Sequence, residues 1–190
     1  MKFFLCLVAF ALSLPASAAD VDAPMILVAK RQLQDRIYGS SILVARPIGQ
    51  DQHIGFIVNR PTRVKLADLF PSHAPSKRVP DPVFLGGPVS SESIFALVQT
   101  DKNPGGRSVK LLDNLFAVID GKLVDDVIEK DPAHARFVAG LVAWRTGELV
   151  EEIRRGAWHV LAADTRLVLR KPDGLWEELV RRAELRANGI

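Results

Sequence analysis

Six residues pair a ligand-gripping or proton-carrying group with a setting that would hold it still: Asp35, Asn59, Arg60, Gly86, Gly87 and Glu152. Asn59-Arg60-Pro61 closes an apolar run with an amide, a guanidinium and a forced turn. An arginine at a strand end can grip a carboxylate or phosphate with two parallel hydrogen bonds, and an adjacent amide can orient the ligand. The same residues also suit a structural role. Asn59 can bond backbone at the turn, and Arg60 can pair with Asp35 or Asp68. Gly86-Gly87-Pro88 can present backbone N–H groups to an anion, or can simply turn the chain. Glu152 can serve as a general acid or base if buried, or can be solvated or paired with Arg155 or Arg136.

Several well-marked chemistries are missing. There is no Gly-x-Ser-x-Gly, no phosphate-binding P-loop, no Gly-x-Gly-x-x-Gly and no His-Glu-x-x-His. The four histidines, His53, His73, His134 and His159, lie far apart, which argues against a zinc site. A serine triad assembled from distant residues stays open, with Ser40 or Ser41 and Asp35 as its first members. No cofactor is implied.

The elements that must position these groups follow from apolar spacing. Met25–Ala29 is a continuous apolar run, the pattern of a strand buried on both faces. Ser41–Ala45 and His53–Asn59 form a hairpin across a loop holding Pro47 and Gly49. A short helix is expected over Val64–Phe70, with Leu66, Leu69 and Phe70 as its apolar face. The proline-rich stretch Pro71–Pro82 reads as a surface loop. Val83–Leu85, Ile94–Gln99 and Phe116–Ile119 read as strands, and Leu123–Glu129 as a helix. Arg136–Trp144 is a buried strand with Gly140 allowing close packing. A helix over Gly147–Arg155 starts at a Thr146 cap, and Ala157–Ala162 is a strand. Asp164–Leu169 is a strand or short helix. Asp173 caps a last helix whose apolar face holds Leu175, Trp176, Leu179, Val180 and Ala183. Trp144, Trp158 and Trp176 are core anchors, each needing an acceptor for its indole N–H. Hairpins followed by mixed strands and helices predict a single α+β domain around a largely antiparallel sheet, without repeats or a linker.

The first nineteen residues, MKFFLCLVAFALSLPASAA, have the layout of an export signal: Lys2, an apolar run, Pro15 and a small-residue stretch. Cleavage is expected after Ala18 or Ala19, leaving residues 20–190 as one domain in the periplasm. The apolar run is shorter than the roughly 20 residues that span a bilayer, so no stable membrane span is expected. Cys6, the only cysteine, leaves with the signal. The mature domain then relies on its apolar core rather than on disulfides. A formal net charge of +3 at pH 7 is too mild to argue for nucleic acid.

Leu27-Val28-Ala29, Leu33-Gln34-Asp35, Ser41, Gly55-Phe56-Ile57-Val58-Asn59-Arg60-Pro61, Gly86-Gly87-Pro88-Val89, Gly140, Trp144, Gly147, Leu149, Glu152 and Gly156-Ala157-Trp158 stand in an order and spacing that resembles the YqgE/AlgH family of bacterial proteins. The resemblance spans Met25 to Trp176 and implies that family's α+β fold, without an established activity. Arg31 stands where the family usually has proline, and Ile48 where it usually has histidine. Some members carry a transcriptional-regulator label, which an exported chain fits poorly. The favoured expectation is a non-catalytic exported module that binds a small anion or a protein partner near Asn59, Arg60 and the paired glycines. The alternatives are a hydrolase with an unidentified nucleophile, or a regulator if the N-terminus is no signal.

Overall fold

The computed structural model describes residues 21–189. The expected signal peptide and its cleavage site lie outside the described residues. Ten strands and five α-helices follow in the order β1 (Met25–Ala29), β2 (Ile42–Gly49), β3 (Gln52–Ile57), β4 (Pro61–Lys65), α1 (Leu66–Leu69), β5 (Pro82–Leu85), β6 (Val89–Gln99), β7 (Ser108–Leu112), β8 (Leu115–Val118), α2 (Gly121–Lys130), β9 (Ala135–Trp144), α3 (Glu148–Arg154), β10 (Trp158–Ala162), α4 (Thr165–Val168) and α5 (Leu175–Ala187). The sheet runs β10-β1-β2-β3-β9-β6-β8-β7, with β5 joining β9 and β4 joining β5. Every pairing is antiparallel except β5 with β9. The sheet curls until β7 lies against β2, where the Arg46 guanidinium donates to the Lys110 carbonyl. This is the α+β domain expected.

The unbroken apolar runs are explained by two-sided burial, since side chains alternate across a sheet. Ile26, Val28, Ile42, Val44, Phe56 and Val58 face one core together with Leu175, Leu179 and Val180 of α5. Leu27, Ala29, Leu43, Ala45 and Ile57 face the other, under Leu149 of α3 and the rings of Trp144 and Trp158. A third cluster joins Val124 and Ile128 of α2 to Val83, Val98 and Phe137.

Several local expectations are corrected. The helix foreseen from Val64 starts only at Leu66; Pro61–Lys65 is instead a strand paired with β5. Thr62 explains the extension, because its hydroxyl donates to the Val83 carbonyl and accepts from the Val64 N–H. Of the foreseen apolar face only Leu66 is buried; Leu69 and Phe70 are 44% and 37% exposed. Thr146 does not cap α3. Its hydroxyl bonds the Gln50 carbonyl across the sheet, and left-handed Gly147 opens the helix (φ 76°). Gly174 rather than Asp173 opens α5. β7 went unforeseen, because Lys110 interrupts a short apolar run.

Candidate functional site

Five of the six foreseen residues converge on one corner where β3, β5 and the loop before β2 meet. The Arg60 carbonyl accepts from Leu85 N–H at 2.8 Å, and the Gly86 carbonyl accepts from Ile57 N–H at 2.8 Å. Asn59 spans the corner, accepting from Ile42 N–H at 2.7 Å and donating to the Ser40 carbonyl at 2.9 Å. Ser40 takes φ 58° there, a strained conformation for a residue with a side chain. Arg60 donates to the Arg36 carbonyl at 3.1 Å and to the Gly39 carbonyl. It forms no ion pair with Asp35 or Asp68. Asp35 accepts from Ile37 and Tyr38 N–H, both at 2.8 Å, closing its own turn. Those two bonds, with the nearby Arg60 charge, hold its carboxyl below the usual aspartate range.

The paired glycines serve a backbone crossing. Gly86 and Gly87 N–H both donate to the Ala139 carbonyl, at 2.8 and 3.3 Å, and so point into the sheet. A Cβ on Gly86 would lie 2.2 Å from the Gly140 carbonyl oxygen, and one on Gly87 2.2 Å from the Leu141 carbonyl carbon. Gly140, at φ 73°, reciprocates, since its Cβ would meet the Gly87 carbonyl oxygen at 2.3 Å. Glycine is required at all three because no side chain fits.

Glu152 sits on α3, one layer away. Its Oε2 accepts both indole N–H groups, from Trp144 at 3.0 Å and Trp158 at 2.8 Å. It bonds neither Arg155 nor Arg136. Trp144 in turn lies close against Gly55, where a Cβ would meet the ring at 2.8 Å. Tyr38 links the two layers. Its ring stands edge-on to Trp158 at 6.2 Å, and burial, with the Glu152 and Asp35 charges, raises its hydroxyl pKa. Trp176 donates to the Ala29 carbonyl at 2.8 Å, so all three indoles have acceptors.

Of the two candidate serines, Ser41 has its hydroxyl engaged. Ser41 is buried and donates to the Tyr38 carbonyl at 2.6 Å. A serine–histidine–carboxylate chain does occur elsewhere, from Ser76 through His73 (2.8 Å) to Glu129 (3.3 Å). Ser76 is 0% exposed, so its oxygen meets no substrate; the chain ties the proline-rich loop to α2. Among the described residues no three His, Cys, Asp or Glu groups gather as metal ligands, and no helix is long and apolar enough to cross a membrane.

What the sequence reading missed is a groove of about 410 Å³ between β4 and β6. Val83 and Ala139 line it between the two strands, Thr62 and Val64 come from β4, and Glu92 and Ile94 from β6. Leu69 of α1 and Phe70, just after it, complete the lining. Val64 is 40% exposed, so three large apolar side chains line one opening. The groove exists because β6 leaves β9 between Val89 and Ile94, a five-residue step set against two residues of β9. Ser90, at φ 52°, lies in that step. The signal available in the sequence was Leu69-Phe70 beside Pro71, an apolar pair with too short a helix to bury it.

Comparison with known proteins agrees with this architecture. The AlgH-like family profile matches residues 26–188. The chain belongs to that family. A UPF0301 protein of Methylococcus capsulatus is 30% identical over 179 residues, covering 90% of this chain and 96% of that one. A UPF0301 protein of Streptomyces avermitilis is 28% identical over 165 residues, covering 83% and 84%. In fold, the chain is similar to the solution structure of AlgH from Pseudomonas aeruginosa, with a TM-score of 0.71 at 18% identity over 93% of this chain and 94% of that one. A Corynebacterium diphtheriae protein gives 0.68 at 22% identity, covering 85% and 86%.

Proposed function

We propose that this AlgH-like protein is an exported, non-catalytic binding module, and that the groove between β4 and β6 is its docking surface for a protein partner. The observation that carries this reading is the contrast between two places. At the corner, Asn59 spends both amide atoms on backbone, and Asp35 Oδ1 and Arg60 Nη1 and Nη2 also bond backbone. At the groove, Val64, Leu69 and Phe70 are left uncovered at one concave opening. Glu92 lines the same opening and forms no ion pair among the described residues. An apolar segment carrying one Lys or Arg complements it. The corner then acts as the frame that fixes β4 against β5, rather than as an anion clamp. Export rests on the N-terminal signal pattern; cell fractionation with N-terminal sequencing tests it, and full-length protein in the cytoplasm contradicts it. For the groove, a photo-crosslinking residue at Val64 should give one discrete protein adduct in cells, with the same residue at exposed Val150 giving none. Equal labelling at both positions contradicts the docking surface.

A further inference from the structure

β9 carries a buried cation that no carboxylate contacts directly. Arg136 is 6% exposed and forms no ion pair among the described residues. Its Nη1 spends both hydrogens on the carbonyls of Val58 and Val168, and Nη2 donates to the Arg170 carbonyl at 2.8 Å. That leaves Nε–H and one Nη2–H without a partner, and an arginine can take a carboxylate side-on through Nε and Nη2. Two other arginines of this chain use that same pair of nitrogens. Arg154 holds Glu151 at 2.9 and 2.7 Å, and Arg166 holds Asp164 at 2.9 Å twice.

The free edge is not sealed. Among the described residues, the one side-chain nitrogen or oxygen both closed to solvent and without a partner is His53 Nδ1. Arg136 Nε has no partner either, so it keeps access to solvent. Arg136 lines a notch of about 300 Å³ at the start of β5 and β9. Its walls are apolar: Val79, Pro80, Pro82 and Phe84, whose ring lies 4.2 Å from the guanidinium carbon. Arg78 also lines it and forms no ion pair. Asp81 lines it too and acts on Arg136 through space, without a hydrogen bond or ion pair. Burial lowers the Arg136 pKa to about 10 against that charge, the mark of a desolvated cation.

We propose that this notch binds a small organic monocarboxylate with an apolar body, gripped side-on by Nε and Nη2 of Arg136 while Arg78 draws the anion to the mouth. The acid is either a free metabolite or the C-terminal carboxylate of a peptide. This site is separate from the β4–β6 groove, and neither depends on the other.

Nitrogen-edited NMR of the Arg136 Nε–H tests it, titrated with phenylacetate, N-acetylphenylalanine, phenylacetamide and inorganic phosphate. Phenylacetate or N-acetylphenylalanine should shift that resonance in a saturable way; the tighter of the two identifies the source. Phenylacetamide should bind at least about tenfold more weakly, having lost the charge-assisted pair. Arg78→Ala, an exposed change that leaves the fold intact, should weaken the acid several-fold. No shift with either acid overturns the proposal. So does equal binding of the amide, or of phosphate, since then the carboxylate or the apolar body is not read. Binding seen only in Asp81→Asn also overturns it, because Asp81 would then be the natural occupant.

Discussion

Asn59 is the residue on which the corner depends, because its one amide replaces two missing backbone partners. Asn59→Ala strands the Ile42 N–H and the Ser40 carbonyl, and should lower stability by about 2–3 kcal/mol, read by denaturant titration. Asn59→Asp keeps the acceptor and loses the donor, so it should fall between the two. Glu152→Ala removes the acceptor of two indoles at once; a loss of about 2–4 kcal/mol and a red-shifted, more quenchable tryptophan emission are expected. If Glu152 were instead catalytic, its removal would leave stability untouched. These roles were half legible in the sequence. The motif residues could be picked out, and backbone bonding at Asn59 was one of the readings open. The partners of Glu152 were not legible, since Trp144 and Trp158 approach it from two different strands.

At the scale of elements, the glycine crossing decides how β5 leads into β6. Gly87→Ala and Gly140→Ala each push a methyl to within 2.2–2.3 Å of backbone, which cannot yield as a side-chain tip would. Both should destabilise by more than about 3 kcal/mol or give insoluble protein, whereas Gly121→Ala, with open space around it, should be neutral within about 0.5 kcal/mol. Strand periodicity foretold β1, the hairpin and β9 because burial on both faces leaves an unbroken apolar run. It failed at β4, where Arg63, Val64 and Lys65 are all exposed and the strand is held by Thr62 and its pairing with β5. The cap expectations failed at Thr146 and Asp173, where a left-handed glycine opens the helix in place of a side-chain cap. In both cases the winning interaction comes from a distant segment or from backbone geometry, neither of which a local window displays.

The whole molecule is a curled sheet with a core on each face, and several of its carboxylates are held by nearby backbone or arginine. Asp35, Glu151, Asp164 and Glu178 all have carboxyl pKa values below their ordinary ones, Glu151 down to about 2, through hydrogen bonds to backbone or arginine. A depressed folded pKa means the unfolded chain binds the proton more readily. Their contribution is therefore present above the ordinary carboxylate range and lost as pH falls below it, for Glu151 toward about 2. Thermal midpoints should decline over that window, less steeply at high salt because these pairs are exposed. The foreseen apolar core and α+β class were legible from composition and order alone. The groove was not, because it is made by β6 stepping away from β9 rather than by any residue pattern.

Which face meets a partner is tested most directly by a paired comparison of two variants carrying the Val64 crosslinker. Phe70→Asp lies on the exposed rim and should keep the parent melting temperature while abolishing the crosslink from Val64. Asn59→Ala should lower the melting temperature yet retain the crosslink wherever the protein stays folded. A crosslink that survives Phe70→Asp but disappears in folded Asn59→Ala would contradict docking at the groove and return the binding role to the corner.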